Sequence, residues 1–108
     1  MKEDKLLGML GLARRAGRVV IGTEQVSVSL SKRADAKPTL VLISEEASDG
    51  AKKKLTCKCD FYKIEYIIVK IEMTKLGRIL GKSYAPVVVG ITDEGFAKRI
   101  KEFAEGEG

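Results

Sequence analysis

Arg14-Arg15-Ala16-Gly17-Arg18-Val19-Val20-Ile21-Gly22-Thr23-Glu24-Gln25 reads as the end of one helix, a short apolar strand and a glycine turn into a second helix. Gly17 can close the first helix. The β-branched run Val19-Val20-Ile21 favours a strand. Gly22 tolerates the backbone reversal, and Thr23 is a candidate N-cap for the second helix. Arg14, Arg15 and Arg18 stand just before the turn. A helix start reached through glycine, with cations beside it, suits an anion. The same layout is also the ordinary way for an α/β chain to pass from strand to helix.

Outward from this stretch, strands and helices keep alternating. Upstream, Leu6, Leu7, Leu10, Ala13 and Ala16 recur at spacings of three and four and make one helical face over 4–16. Gly8 and Gly11 inside that helix each cost about 1 kcal/mol against alanine, which points to close packing against a neighbour. Downstream, a second helix is expected over 23–32, although Val26, Val28 and Leu30 also alternate as a strand would. Leu40-Val41-Leu42-Ile43 reads as a strand buried on both faces. Ser48 or Asp49 can cap a third helix to about Asp60, with Ala51, Leu55 and Cys59 as its buried stripe. Tyr66-Ile67-Ile68-Val69 reads as another buried strand, and Thr74 as the cap of a short helix ended by Gly81. Val87-Val88-Val89 is the last strand, and Asp93 starts a final helix with Phe96, Ala97, Ile100 and Phe103 on one face. Such alternation implies a single domain over 1–108, a central sheet covered by helices on both faces, with 104–108 as a disordered acidic tail.

The chain of 108 residues has a net charge of +5, and Glu102, Glu105 and Glu107 are concentrated at its end. Without them, 20 basic residues face 12 acidic ones, a balance of +8. A basic body of this kind favours a polyanionic partner, nucleic acid first. No apolar run is long enough to cross a membrane, and Met1-Lys2-Glu3-Asp4-Lys5 lacks the apolar segment of a secretion signal, so a cytoplasmic location is expected.

No constellation for catalysis, a metal or a cofactor stands out. The chain has no histidine, the commonest general base. Cys57 and Cys59, two apart on a helix, point about 200° from one another and cannot share a ligand. Gly77-Arg78-Ile79-Leu80-Gly81-Lys82-Ser83 has three residues between its glycines where a nucleotide-phosphate loop has four, and it leads from helix to strand. Among the lysines of the third helix, Lys54 and Lys58 share a face, read as solvated rather than as a phosphate track. Two places remain for binding: the turn, with Lys32 and Arg33 beyond it, and the loop Lys82-Ser83-Tyr84-Ala85-Pro86. There Tyr84 either stacks on an unpaired base or packs over the sheet edge.

The ordered series Ile21-Gly22-Thr23-Glu24-Gln25, Leu40-Val41-Leu42-Ile43-Ser44-Glu45-Glu46-Ala47, Tyr66-Ile67-Ile68-Val69, Leu76-Gly77-Arg78-Ile79-Leu80-Gly81 and Val87-Val88-Val89-Gly90-Ile91 resembles the L7Ae/L30e family of ribosomal and kink-turn RNA-binding proteins. Leu10-Gly11-Leu12-Ala13-Arg14-Arg15-Ala16-Gly17 and Gly90-Ile91-Thr92-Asp93-Glu94-Gly95-Phe96-Ala97 look most like a small bacterial subgroup of it. The resemblance spans Leu6 to Phe103. It implies a three-layer α/β/α sandwich with a mixed four-stranded sheet. It also implies a non-catalytic, cofactor-free, ribosome-associated protein that binds kink-turn RNA, with ribosomal proteins as possible neighbours and a monomeric state.

In that family the turn reads G-x-N-E-x-x-K and contacts tandem G·A pairs and phosphates, while the loop before the last strand holds a flipped-out base. Carried over, Gly22 and Thr23 match, Lys32 keeps a later basic position, and Lys82, Ser83, Tyr84, Ala85 and Pro86 occupy the pocket loop. Arg14, Arg15 and Arg18 would meet phosphates. Glu24 stands where asparagine is usual, Gln25 where glutamate is usual, and Val28 where lysine is usual. Glutamine still donates and accepts. Glu24 only accepts and carries negative charge, and Val28 removes a cation. On this reading Glu24→Asn tightens RNA binding. These departures also motivate an alternative: an assembly adaptor on the same fold that has lost kink-turn readout.

Overall fold

A computed structural model describes residues 2–32, 37–82 and 86–105. In chain order the elements are α1 (Lys2–Arg15), β1 (Val19–Ile21), α2 (Thr23–Ser29), β2 (Leu40–Ser44), α3 (Asp49–Tyr62), β3 (Glu65–Val69), α4 (Met73–Ile79), β4 (Val88–Ile91) and α5 (Glu94–Glu105). The strands form one mixed sheet in the order β1-β4-β2-β3, with β2–β3 parallel and the other two pairs antiparallel.

The continuous apolar run of β2 is explained by its two covered faces. Leu40 and Leu42 join Leu6, Leu10, Leu76, Leu80, Ala97 and Ile100 under α1, α4 and α5. Val41 and Ile43 join Val26, Leu30, Leu55 and Cys59 under α2 and α3. The result is the expected α/β/α sandwich on a mixed four-stranded sheet.

Five local expectations need correction. α2 stops at Ser29, short of Lys32. The cap of α2 is Gly22, not Thr23: its φ of 105° is a conformation that residues with a Cβ rarely adopt, so the turn places glycine there and moves Thr23 inside the helix. The cap of α4 is Glu72, and Thr74 lies within the helix. β3 is an edge strand, paired only with β2, which leaves Ile68 46% exposed where a buried strand was expected. Gly11 packs as expected, a Cβ built there lying 3.4 Å from Ile79, but Gly8 has nothing within 4 Å. Ser48 does cap α3, its hydroxyl accepting from the Ala51 N–H at 3.1 Å. Asp93 does the same for α5, its carboxylate accepting from the Phe96 N–H at 2.9 Å. Of the expected acidic tail, 104 and 105 belong to α5, and 106–108 fall outside the described residues.

Candidate functional site

The sheet register decides what lies beside the β1–α2 turn. Ile21 is opposite Val89, and one residue on, the Gly22 N–H donates to the Val88 carbonyl at 2.9 Å. The Ser44 N–H donates to the Val87 carbonyl at 2.7 Å, and the Glu45 N–H to the Val69 carbonyl at 2.9 Å. The turn, the end of the loop preceding β4 and the segments leaving β2 and β3 therefore share one end of the sheet. The two segments singled out from sequence, Gly22-Thr23 and the loop ending at Pro86, are neighbours there.

The arginines divide. Arg14, exposed near the end of α1, lays its guanidinium against Gly81, where the same loop begins: a Cβ built on Gly81 would lie 2.5 Å from its Nη2. Gly81 has φ 69°, so both its conformation and the arginine above it call for glycine. The loop is thus bracketed by Arg14 at its start and Gly22 at its end. Arg18 belongs to the opposite end of the sheet. Its carbonyl accepts from the Thr92 N–H at 2.9 Å, and the three residues of β1 separate it from Gly22 by about 13 Å. Arg15 is exposed at the end of α1, on the approach to Arg18. The three arginines, adjacent in sequence, thus part in space: Arg14 reaches Gly81, and the strand β1 stands between Arg18 and the turn.

Glu24 and Gln25 are exposed in the first turn of α2, and Thr23 is half-buried. Lys32 is exposed just beyond the far end of α2. Lys82 is exposed and anchored through its backbone N–H to the Gly77 carbonyl at 2.9 Å, while Pro86 is buried. Ser83, Tyr84 and Ala85, like Arg33, lie outside the described residues.

Lys54 is exposed, as the solvated-face reading expects, but it and the half-buried Lys58 also reach a neighbouring helix. The Lys54 ammonium donates to the Glu24 carboxylate at 2.9 Å. One turn on, Lys58 donates to the Ser27 carbonyl at 3.1 Å and to its hydroxyl at 3.0 Å. Both reach from α3 to α2, so Glu24 is not a bare negative charge at the turn. Their i,i+4 spacing was visible in the sequence. The neighbour they face was not.

Other chemistry-bearing residues serve the fold. The buried Ser44 hydroxyl donates to the Ile71 carbonyl at 2.7 Å and accepts from the Glu46 N–H at 3.1 Å. Burial, reinforced by Asp60, pushes the Cys59 thiol up to about 11, while Cys57 is exposed. Among the described residues no group of three or more acidic, cysteine or histidine side chains could hold a metal. None of the described helices is long and apolar enough to cross a membrane. An open groove of about 330 Å³, lined by Thr39, Glu65, Lys98 and Lys101 among others, lies at the end of the sheet away from Gly22, with Lys101 bonded to Glu65 inside it.

Known proteins resemble this chain in sequence and in fold. The chain is 44% identical over 92 residues to the RNA-binding protein YlxQ of Bacillus subtilis, covering 85% of this chain and 87% of that one. It is 32% identical over 104 residues to the RNA-binding protein YlxQ of Enterococcus faecium, covering 96% and 95%. A solved Bacillus halodurans protein described as of unknown function superposes with a TM-score of 0.82 at 37% identity, covering 94% of this chain and 97% of that one. The Giardia lamblia 15.5kD RNA binding protein shares the fold, with a TM-score of 0.73 at 18% identity over 95% of this chain and 84% of that one. The model of the Ribosomal protein L7Ae/L30e/S12e/Gadd45 family matches residues 4–101, and with the sheet order, the glycine-capped α2 and these relatives, the chain belongs to that family.

Proposed function

We propose that this protein binds structured RNA of the kink-turn type, without catalysis, through the end of the sheet where the β1–α2 turn meets the loop before β4. The observation that carries this reading is the Gly22 N–H bonded to the Val88 carbonyl, which sets the turn against the segment that closes the loop. Gly22, Thr23 and Gln25 would approach bases, Arg14 and Lys82 phosphates, and the loop Ser83 to Pro86 an extruded base. Two relatives named as RNA-binding proteins support the reading, as does the basic body of the chain. The reading extends to a monomeric, cytoplasmic protein attached to ribosomal RNA.

Titration of a kink-turn RNA and a plain duplex at two salt concentrations tests this. Tighter binding to the kink-turn, weakening steeply with salt as phosphate contacts release counterions, is the expected result. Equal binding to both removes the kink-turn assignment, and binding to neither removes RNA.

The adaptor reading drew on the negative charge of Glu24, and the Lys54 pairing offsets that charge. It keeps the exposed Val28, 53% accessible on α2, in its favour. Protein partners that survive ribonuclease treatment in a pull-down would select it.

A further inference from the structure

The seven residues of α2, Thr23-Glu24-Gln25-Val26-Ser27-Val28-Ser29, contain one acidic and no basic side chain. The first helix turn after Gly22 therefore brings negative charge to the end of the sheet assigned to RNA. The positive charge over that turn comes from α3. Lys54 Nζ stands 2.9 Å from Glu24 Oε2, two residues past Gly22. Glu24 and Val28 are one helical turn apart on the same exposed face. An ammonium bonded to Glu24 thus lies on the only charged part of that face.

We propose that Lys54 is a phosphate-contacting residue of the RNA interface, held over the β1–α2 turn by Glu24, so that α3 forms a second wall of the site. The inference rests on the reading that this turn faces RNA. Three features favour it. The pair is open to solvent, the Lys54 and Glu24 side chains being 45% and 75% exposed, so it contributes little to folding and its ammonium can be shared with an incoming anion. An ammonium has three donors, and one bond to Glu24 leaves capacity for a phosphate oxygen. Lys58, half-buried one turn along, bonds the Ser27 carbonyl and hydroxyl and fixes α3 against α2. Lys54 therefore needs to hold nothing together.

The test is titration of a kink-turn RNA and a plain duplex over a salt series, with wild type, Lys54→Gln, Lys54→Arg and Glu24→Gln. Lys54→Gln is expected to weaken both RNAs by a similar factor and to lower the log–log salt slope by about 1. Lys54→Arg restores the slope. Glu24→Gln keeps an acceptor for Lys54 while removing a negative charge beside the bound phosphate, and tightens binding about threefold. An unchanged salt slope in Lys54→Gln overturns the proposal, because a lysine that merely ties α3 to α2 changes melting temperature and not counterion release. Weaker binding by Glu24→Gln overturns it too. If wild type binds kink-turn and duplex equally while Lys54→Gln lowers the slope, the kink-turn reading fails and the phosphate contact stands. If wild type binds neither RNA, both fail.

Discussion

The two helical layers over the sheet are held in different ways. On one face, α1, α4 and α5 meet the strands through Leu6, Leu10, Leu76, Leu80, Ala97 and Ile100, all buried. On the other, α2 has only seven residues, far below the dozen or more at which an isolated helix becomes even marginal in water. It stays in place because Val26 and Leu30 are fully buried and because Lys58 bonds to it from α3. Both layers bury apolar side chains, and the larger cluster lies under α1, α4 and α5, the apolar layer. The short helix, sewn on by Lys58, leaves the exposed Lys54–Glu24 pair at its surface. Arg14 is the exception, a cation from the apolar layer that reaches Gly81 at the edge of the same site.

The strongest way to break this division is Leu10→Ala. Leu10 is fully buried in the apolar layer, and its truncation is expected to cost about 3 kcal/mol, within the usual 2–5 for such sites. Denaturant melts measure that loss. RNA affinity per folded molecule should stay at the wild-type value. A matching fall in affinity would mean that the two layers are energetically coupled and the division is wrong.

Gly81→Ala strikes where the layers meet. The left-handed backbone costs a residue with a Cβ about 1–2 kcal/mol, and the new methyl displaces the Arg14 guanidinium. Stability and RNA binding should therefore fall together, the second with a shallower salt dependence as a phosphate contact is lost. Loss of stability with intact binding would take Arg14 out of the interface.

The layers were legible in the sequence to different degrees. The four apolar residues Leu40 to Ile43, too few for a buried helix and flanked by helical periodicities, sufficed for a strand covered on both faces. Tyr66-Ile67-Ile68-Val69 looks the same in sequence yet lies at an edge, because strand order depends on which partners close the sheet and not on the strand's own pattern. Thr23 and Thr74 have cap chemistry, but the backbone angle at Gly22 and at Glu72 put the caps one and two residues earlier. Family resemblance pointed to the turn and the loop before β4. The Lys54–Glu24 pair joins residues 30 apart, and helical periodicity states which residues share a face without stating what that face meets.

Ser48→Ala probes the sewn layer with a smaller change. It removes the hydroxyl that accepts from the Ala51 N–H at the start of α3, an effect of about 1 kcal/mol for an exposed cap. Because Leu55 and Cys59 stay buried, α3 should remain docked, and Lys54 with it. The expected result is a lower denaturation midpoint with unchanged salt dependence of RNA binding. A changed slope would show that the first turn of α3, and not its buried stripe, sets the lysine's position.

The smallest effect separates two glycines of the apolar layer. Gly8 is exposed within α1, and a Cβ built there meets nothing within 4 Å. Gly8→Ala should then gain the helical advantage of alanine, about 0.5–1 kcal/mol, with no steric cost. Gly11 faces Ile79 of α4, where a methyl would arrive at 3.4 Å, the near edge of ordinary contact, so that any shift of the Ile79 side chain takes back part of the same gain. Thermal melts of the two variants should rank Gly8→Ala above Gly11→Ala, with RNA binding unchanged in both. The reverse ranking would mean that α1 and α4 are less tightly packed than the sheet-side core beneath them. A loss of RNA affinity in Gly8→Ala would place a contact on the outer face of α1, and the apolar layer could no longer be regarded as a purely structural one.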